Sequence, residues 1–115
     1  SQIASHVDPH SAEFRANDAH NRALARELHE RQQAAAFDRP ERIVARQQER
    51  NKLLVHERIE AVLDEGSPFL ELSPLAGYGL HDGEAPAAGI VTGIGRVAGQ
   101  EVMIVANDPT VKAGA

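Results

Sequence analysis

The chain has 115 residues, a formal net charge of −5, no cysteine, and only four aromatic residues: Phe14, Phe37, Phe69 and Tyr78. Lack of cysteine excludes disulfides, thiolate catalysis and Cys-ligated zinc, and the acidic, aromatic-poor balance excludes an ordinary nucleic-acid-binding surface. No run approaches the ~18 apolar residues of a membrane span, so no span is expected.

The composition changes sharply near Gly66. All nine glycines lie at or after it, whereas residues 1–65 carry ten of the twelve basic residues. Glycine is costly inside helices and useful in turns, so the break divides a helical half from a strand-and-loop half.

Asp8-Pro9 is a helix-start pair, with Asp8 as N-cap and Pro9 at the first helical position. A first helix is expected from there to about Ala36. Phe14, Ala19, Leu24 and Leu28 trace only a thin apolar stripe between Arg15, Arg22, Arg26 and Arg31, which suits a largely solvated helix. Asp38 and Glu41 have capping-box spacing, predicting a second helix over about 39–50. Asn51 tolerates the left-handed conformation that ends helices. A third helix carries Leu54, Ile59, Val62 and Leu63 before Gly66. Its carboxylates, over 57–65, read as a solvated face beside Lys52 and Arg58.

Phe69–Leu72 is a short strand candidate, and residues 73–88, with Pro74, Gly77, Gly79, Gly83 and Pro86, read as irregular. Two β-branched runs flanking Ala98-Gly99 predict a hairpin over 89–107. Two strands alone are marginally stable at best, because their faces lack cover.

Several short patterns fail on inspection. Gly93 and Gly95 begin a dinucleotide fingerprint, but position 98 is Ala98 and no helix start follows, so these glycines mark bulges or close backbone contacts. His29-Glu30 and His56-Glu57 lack the second histidine of a zinc-protease helix, since Gln33 and Glu60 stand there. No catalytic residue and no metal site is assigned. The segment Asn107–Gly114 differs: it follows an apolar strand, holds Lys112, one of two cations after Gly66, and has small residues that admit a ligand to backbone N–H groups. It reads either as an anion- or thioester-binding loop or as an ordinary Asp-Pro turn with an exposed lysine.

Four ordered blocks carry a resemblance. Asn51-Lys52-Leu53-Leu54-Val55-His56-Glu57-Arg58-Ile59, Leu63-Asp64-Glu65-Gly66-Ser67-Pro68-Phe69-Leu70-Glu71-Leu72, Gly89-Ile90-Val91-Thr92-Gly93-Ile94-Gly95 and Ala106-Asn107-Asp108-Pro109-Thr110-Val111-Lys112 resemble the start of carboxyltransferase β subunits of biotin-dependent acyl-CoA carboxylases. Asn107 and Lys112 are similar to the branch acting on 3-methylcrotonyl-CoA or geranyl-CoA. Ala113 departs from that pattern, standing where the first of two glycines is common.

The resemblance implies an α/β fold: a helical leader over 1–65, then from 66 to 115 the opening strands of a crotonase-like (ββα) carboxyltransferase domain, incomplete in this chain. It implies transfer of CO₂ from carboxybiotin to the γ-carbon of an unsaturated branched acyl-CoA, with biotin carried on a partner α subunit that also holds biotin carboxylase. Other β subunits are further implied partners. Ala106, Asn107, Thr110, Val111 and Lys112 are the implied acyl-CoA-binding residues. The propionyl/acetyl-CoA branch, and a non-enzymatic helical interaction module over residues 9–63, are the alternatives. A cytoplasmic setting is expected, or the mitochondrial matrix if the source is eukaryotic.

Overall fold

A computed structural model describes residues 1–114. Two compact units are present, Ser1–Arg31 and Gln32 onward.

The first unit consists of a non-helical N-terminal segment and most of helix α1 (Ala12–Phe37). Asp8 does not cap this helix. Its Oδ1 accepts a hydrogen bond from the His10 N–H at 2.9 Å, and Ser11 Oγ accepts from the Phe14 N–H at 3.1 Å. Asp8-Pro9 therefore closes a turn one step earlier, and Ser11 takes the capping role. Ion pairs Asp18–Arg22 and Glu27–Arg31, four residues apart, brace a helix whose Phe14, Leu24 and Leu28 stay exposed.

In the second unit, α2 (Glu41–Glu49) and α3 (Val55–Val62) precede a three-stranded antiparallel sheet: β1 (Leu70–Leu72), β2 (Ile90–Val97) and β3 (Gln100–Asn107). The capping box expected at Asp38 does not form; Pro40 is the N-cap of α2 and makes no side-chain cap. The segment 38–40 stays non-helical, and the neighbouring Arg39 side chain is drawn elsewhere. Asn51 adopts φ 53° after α2, as its tolerance of that conformation predicts. The third helix stops at Val62, short of Gly66, because Leu63 turns extended and the Asp64 N–H donates to the Arg96 carbonyl at 2.8 Å. Glu57 Oε2 accepts from the Leu54 N–H at 2.7 Å, closing the free start of α3.

The hairpin is present in the expected register, with Val97 opposite Gln100. Its two turn residues, Ala98 and Gly99, both have positive φ (50° and 78°), the type I′ pattern that matches strand twist. Asp64 holds this turn: its two carboxylate oxygens accept from the Ala98 and Gly99 N–H groups at 2.7 and 2.8 Å. The carboxylate thus belongs to the sheet and not to a solvated helix face. β1 joins the hairpin as a third strand, pairing Leu70 with Ile94 and Leu72 with Thr92.

Strand alternation sends Val91, Gly93 and Gly95 inward, toward Val55 and Ile59 of α3. Leu63, Phe69, Ile104 and Ala106 complete that core. No bulge interrupts the register at Gly93 or Gly95; these are close-contact glycines. A Cβ on Gly93 would lie 2.3 Å from Phe69 Cζ and 2.6 Å from the Leu70 carbonyl oxygen, and one on Gly95 would lie 2.3 Å from Leu63 Cδ2. The opposite sheet face leaves Leu70, Ile90, Met103 and Val105 exposed.

Candidate functional site

β3 delivers the chain into the loop Asn107–Gly114. The Asp108 N–H donates to the Gly89 carbonyl at 2.9 Å, tying the loop to the start of β2. Val111 packs beside Gly89, where an added Cβ would come within 3.3 Å of Val111 Cγ1.

A buried ion pair fixes the loop from the other side. Arg39 Nη2 lies 2.8 Å from Asp108 Oδ2, and Arg39 Nε donates to Thr110 Oγ1 at 2.9 Å. Two further guanidinium N–H groups donate to the Ala35 and Asp38 carbonyls at 3.0 and 2.8 Å. The other carboxylate oxygen of Asp108 accepts from both the N–H and the hydroxyl of Thr110. Burial pushes the Asp108 carboxyl up, but the Thr110 hydroxyl, the Arg39 guanidinium and the Thr110 N–H together outweigh it and hold the group below the ordinary carboxylate range.

The five residues expected to bind ligand therefore divide. Thr110 and Val111 are buried and serve the loop's internal structure, and Ala106 is partly buried against the α3 core. The Thr110 hydroxyl is occupied by Asp108 and Arg39 and is not free for a ligand. Asn107 and Lys112 are exposed, and Lys112 Nζ stands 3.7 Å from Glu84 Oε2 in an open pair. Lys112 and Ala113 have φ of 44° and 57°. Ala113 thus occupies a left-handed position that glycine would fill without strain. Arg39 was not visible as a site residue from sequence; the local Asp38-Arg39-Pro40-Glu41 pattern points to capping instead.

Among the described residues no cluster of three metal-ligating side chains exists, and no helix is long and apolar enough to cross a membrane. His56 instead meets Glu71 at 3.1 Å and the Phe37 ring at 5.2 Å between centroids, a packed role. The N–H groups of Asp108, Thr110, Val111 and Gly114 donate within the fold, to the Gly89 carbonyl, the Asp108 carboxylate, the Asp108 carbonyl and the Val111 carbonyl, so the exposed polar side chains of the loop are the Asn107 amide and the Lys112 ammonium.

Residues 46–115 match the carboxyl transferase domain family, and the chain belongs to it. It is 54% identical over 97 residues, 84% of its length, to the biotin-dependent 3-methylcrotonyl-coenzyme A carboxylase beta1 subunit of Mycobacterium tuberculosis. It is 46% identical over 94% of its length to the mitochondrial methylcrotonoyl-CoA carboxylase beta chain of Dictyostelium discoideum. The chain spans 18% of each of these relatives. Among solved structures, the P. aeruginosa geranyl-CoA carboxylase beta subunit superposes with a TM-score of 0.67 at 32% identity, over 98% of this chain and 21% of that one. The transcarboxylase 12S structure gives 0.69 at 29% identity, over 82% and 19%. The architecture of helices followed by the opening strands of a crotonase-like carboxyltransferase agrees with these neighbours.

Proposed function

We propose that the protein containing this chain is the carboxyltransferase β subunit of a biotin-dependent carboxylase acting on 3-methylcrotonyl-CoA or geranyl-CoA. The observation that carries the reading is graded similarity: 54% identity to the 3-methylcrotonyl relative, against 37% over 93 residues to an acetyl-/propionyl-coenzyme A carboxylase beta5 subunit from the same organism. A partner α subunit would bring the biotin, and carboxybiotin would supply the CO₂ group. No residue of this chain is assigned to the biotin. None of the five loop residues is assigned to proton transfer, so the chain's own contribution is to bind and orient the acyl-CoA.

In this reading the loop Asn107–Gly114 lies beside the acyl-CoA. Asn107 and Lys112 meet the ligand with their side chains, whereas Ala106, Thr110 and Val111 set the position of the backbone. Location follows the source, the mitochondrial matrix in a eukaryote and the cytoplasm in a bacterium. The domain boundary near residue 65 belongs to the same proposal, with the helices leading into the carboxyltransferase domain proper.

The test is a carboxylation assay of the complete α/β enzyme with 3-methylcrotonyl-, geranyl- and propionyl-CoA side by side. Preference for propionyl-CoA overturns the branch assignment, and turnover of none overturns the activity. In the same assay, a Lys112→Ala enzyme with unchanged KM for acyl-CoA removes that side chain from the binding set.

A further inference from the structure

Arg39 stands ahead of residues 46–115, the part that matches the carboxyl transferase domain family, yet it bonds to the loop at the other end of the sequence. Its buried guanidinium is anchored on the helix that precedes it. Nη2 donates to the Ala35 carbonyl, one of the last four of α1 and so without a partner inside that helix. The negative end of a helix also favours a cation there. The same Nη2 reaches Asp108 and Nε reaches Thr110, so the last turn of α1 holds the loop through one planar group.

The two exposed polar residues of the loop differ in what supports them. Asn107 is the last residue of β3 and sits opposite Ile90, so the sheet sets its place. Lys112 lies beyond that strand, past the turn that the Val111 N–H closes on the Asp108 carbonyl at 3.1 Å. At Lys112 and Ala113 the backbone is left-handed, with φ of 44° and 57°. Residues with a Cβ hold that conformation only where their surroundings over-determine it. The pair of Lys112 with Glu84 is exposed and 3.7 Å long, too loose to fix the ammonium. The path of the chain into Lys112 is set instead by the buried residues just before it, Asp108, Thr110 and Val111, and Arg39 bonds to two of those three.

We infer that Arg39 is a positioning residue: through Asp108 and Thr110 it fixes where Lys112 is presented to the acyl-CoA, an inference that rests on the reading of the loop as lying beside that ligand. Arg39 is turned to Asp108, Thr110 and two carbonyls, and the loop, not Arg39, faces the ligand. A Lys112 already held in place loses less freedom on binding than one on a loose loop. The gain is in binding and not in the chemical step, so it falls on KM and leaves kcat.

The experiment is a double-mutant cycle in the complete α/β enzyme, read as Kd by direct titration with 3-methylcrotonyl-CoA, which needs no turnover. Arg39→Ala and Lys112→Ala should each weaken binding about tenfold, the strength of one charge-assisted hydrogen bond. The Arg39→Ala/Lys112→Ala enzyme should bind no more weakly than either. By contrast, Arg39→Ala should weaken binding equally whether residue 107 is asparagine or alanine. In turnover, Arg39→Ala should keep its kcat at saturating acyl-CoA, whereas a misfolded fraction would lower kcat and leave the affinity of the folded remainder intact. Should Arg39→Ala fail to fold, Arg39→Lys keeps a charge against Asp108 and carries the same cycle, with a smaller loss that is again absent once Lys112 is alanine. Wild-type affinity in either Arg39→Ala or Lys112→Ala overturns the inference, and so do independent, additive losses from the two. Unchanged affinity in both Lys112→Ala and Asn107→Ala overturns the reading of the loop itself.

Discussion

Arg39 and Asp108 meet at 2.8 Å with their side chains only 5% and 3% exposed, across 69 residues of sequence. The pair joins the segment before α2 to the loop after β3. Removing one partner leaves an uncompensated buried charge, which costs about 3–5 kcal/mol. Arg39→Ala should therefore expose the loop amides of Thr110 and Val111 to rapid hydrogen exchange in the full-length enzyme. Arg39→Lys should fall between the two, because an ammonium cannot hold Asp108, Thr110 and two carbonyls at once. Wild-type protection in Arg39→Ala would show that the pair is dispensable.

The same pair sets an acid limit. Asp108 has a folded-state pKa below the unfolded value, so its stabilisation is complete above the unfolded pKa and is lost as pH falls through the folded one. Loop protection should hold from neutrality down to about pH 4, and decline below it. Asp108→Asn should be less protected at pH 7 and should lose that acid-dependent step. A loop that opens between pH 7 and 5 in the wild type would contradict the assignment.

Gly93 and Gly95 are predicted to differ in tolerance. Adding a methyl group at Gly93 meets the Phe69 ring and the fixed Leu70 carbonyl, whereas at Gly95 it meets first the end of the Leu63 side chain, which can move. Gly93→Ala should cost about 1–3 kcal/mol or more, and Gly95→Ala less. Thermal denaturation of the two full-length variants gives the order, and a Gly95 variant that melts lower than the Gly93 variant would reverse the argument.

The hairpin turn offers opposite-signed changes. Asp64→Ala removes both acceptors for the Ala98 and Gly99 N–H groups and should destabilise by about 1–3 kcal/mol. Ala98→Asn should stabilise by up to about 1 kcal/mol, since asparagine accepts positive φ and Asn-Gly suits a type I′ turn. Melting temperatures moving in the same direction for both variants would show that the turn is not what they report.

The hairpin was legible because its signals are local: β-branched runs around Ala98-Gly99, in alternation that places Val91, Gly93 and Gly95 on one face. The family was legible because four blocks occur in order. Arg39 was not, since its partner lies 69 residues away and leaves no periodic trace. Asp38 through Glu41 fits a capping box by spacing alone, and that competing local reading was the wrong one. Asp64 likewise sat inside an acidic run that looked solvated, and only the folded hairpin brings two N–H groups to it. Thr110 lies in the loop, but its hydroxyl is turned inward to Asp108 and Arg39, a direction that residue type does not encode.

In the order β1-β2-β3, the far side of β3 has no neighbouring strand among the described residues. From Gln100 to Asn107 it carries no proline and no lysine, the usual deterrents to foreign pairing, and Met103 and Val105 stand uncovered on its outer face. A strand with these properties is a template for another copy of itself. Handled as a separate polypeptide, this part of the chain would grow by strand addition, and dilution or an added edge lysine would be needed to keep it monomeric.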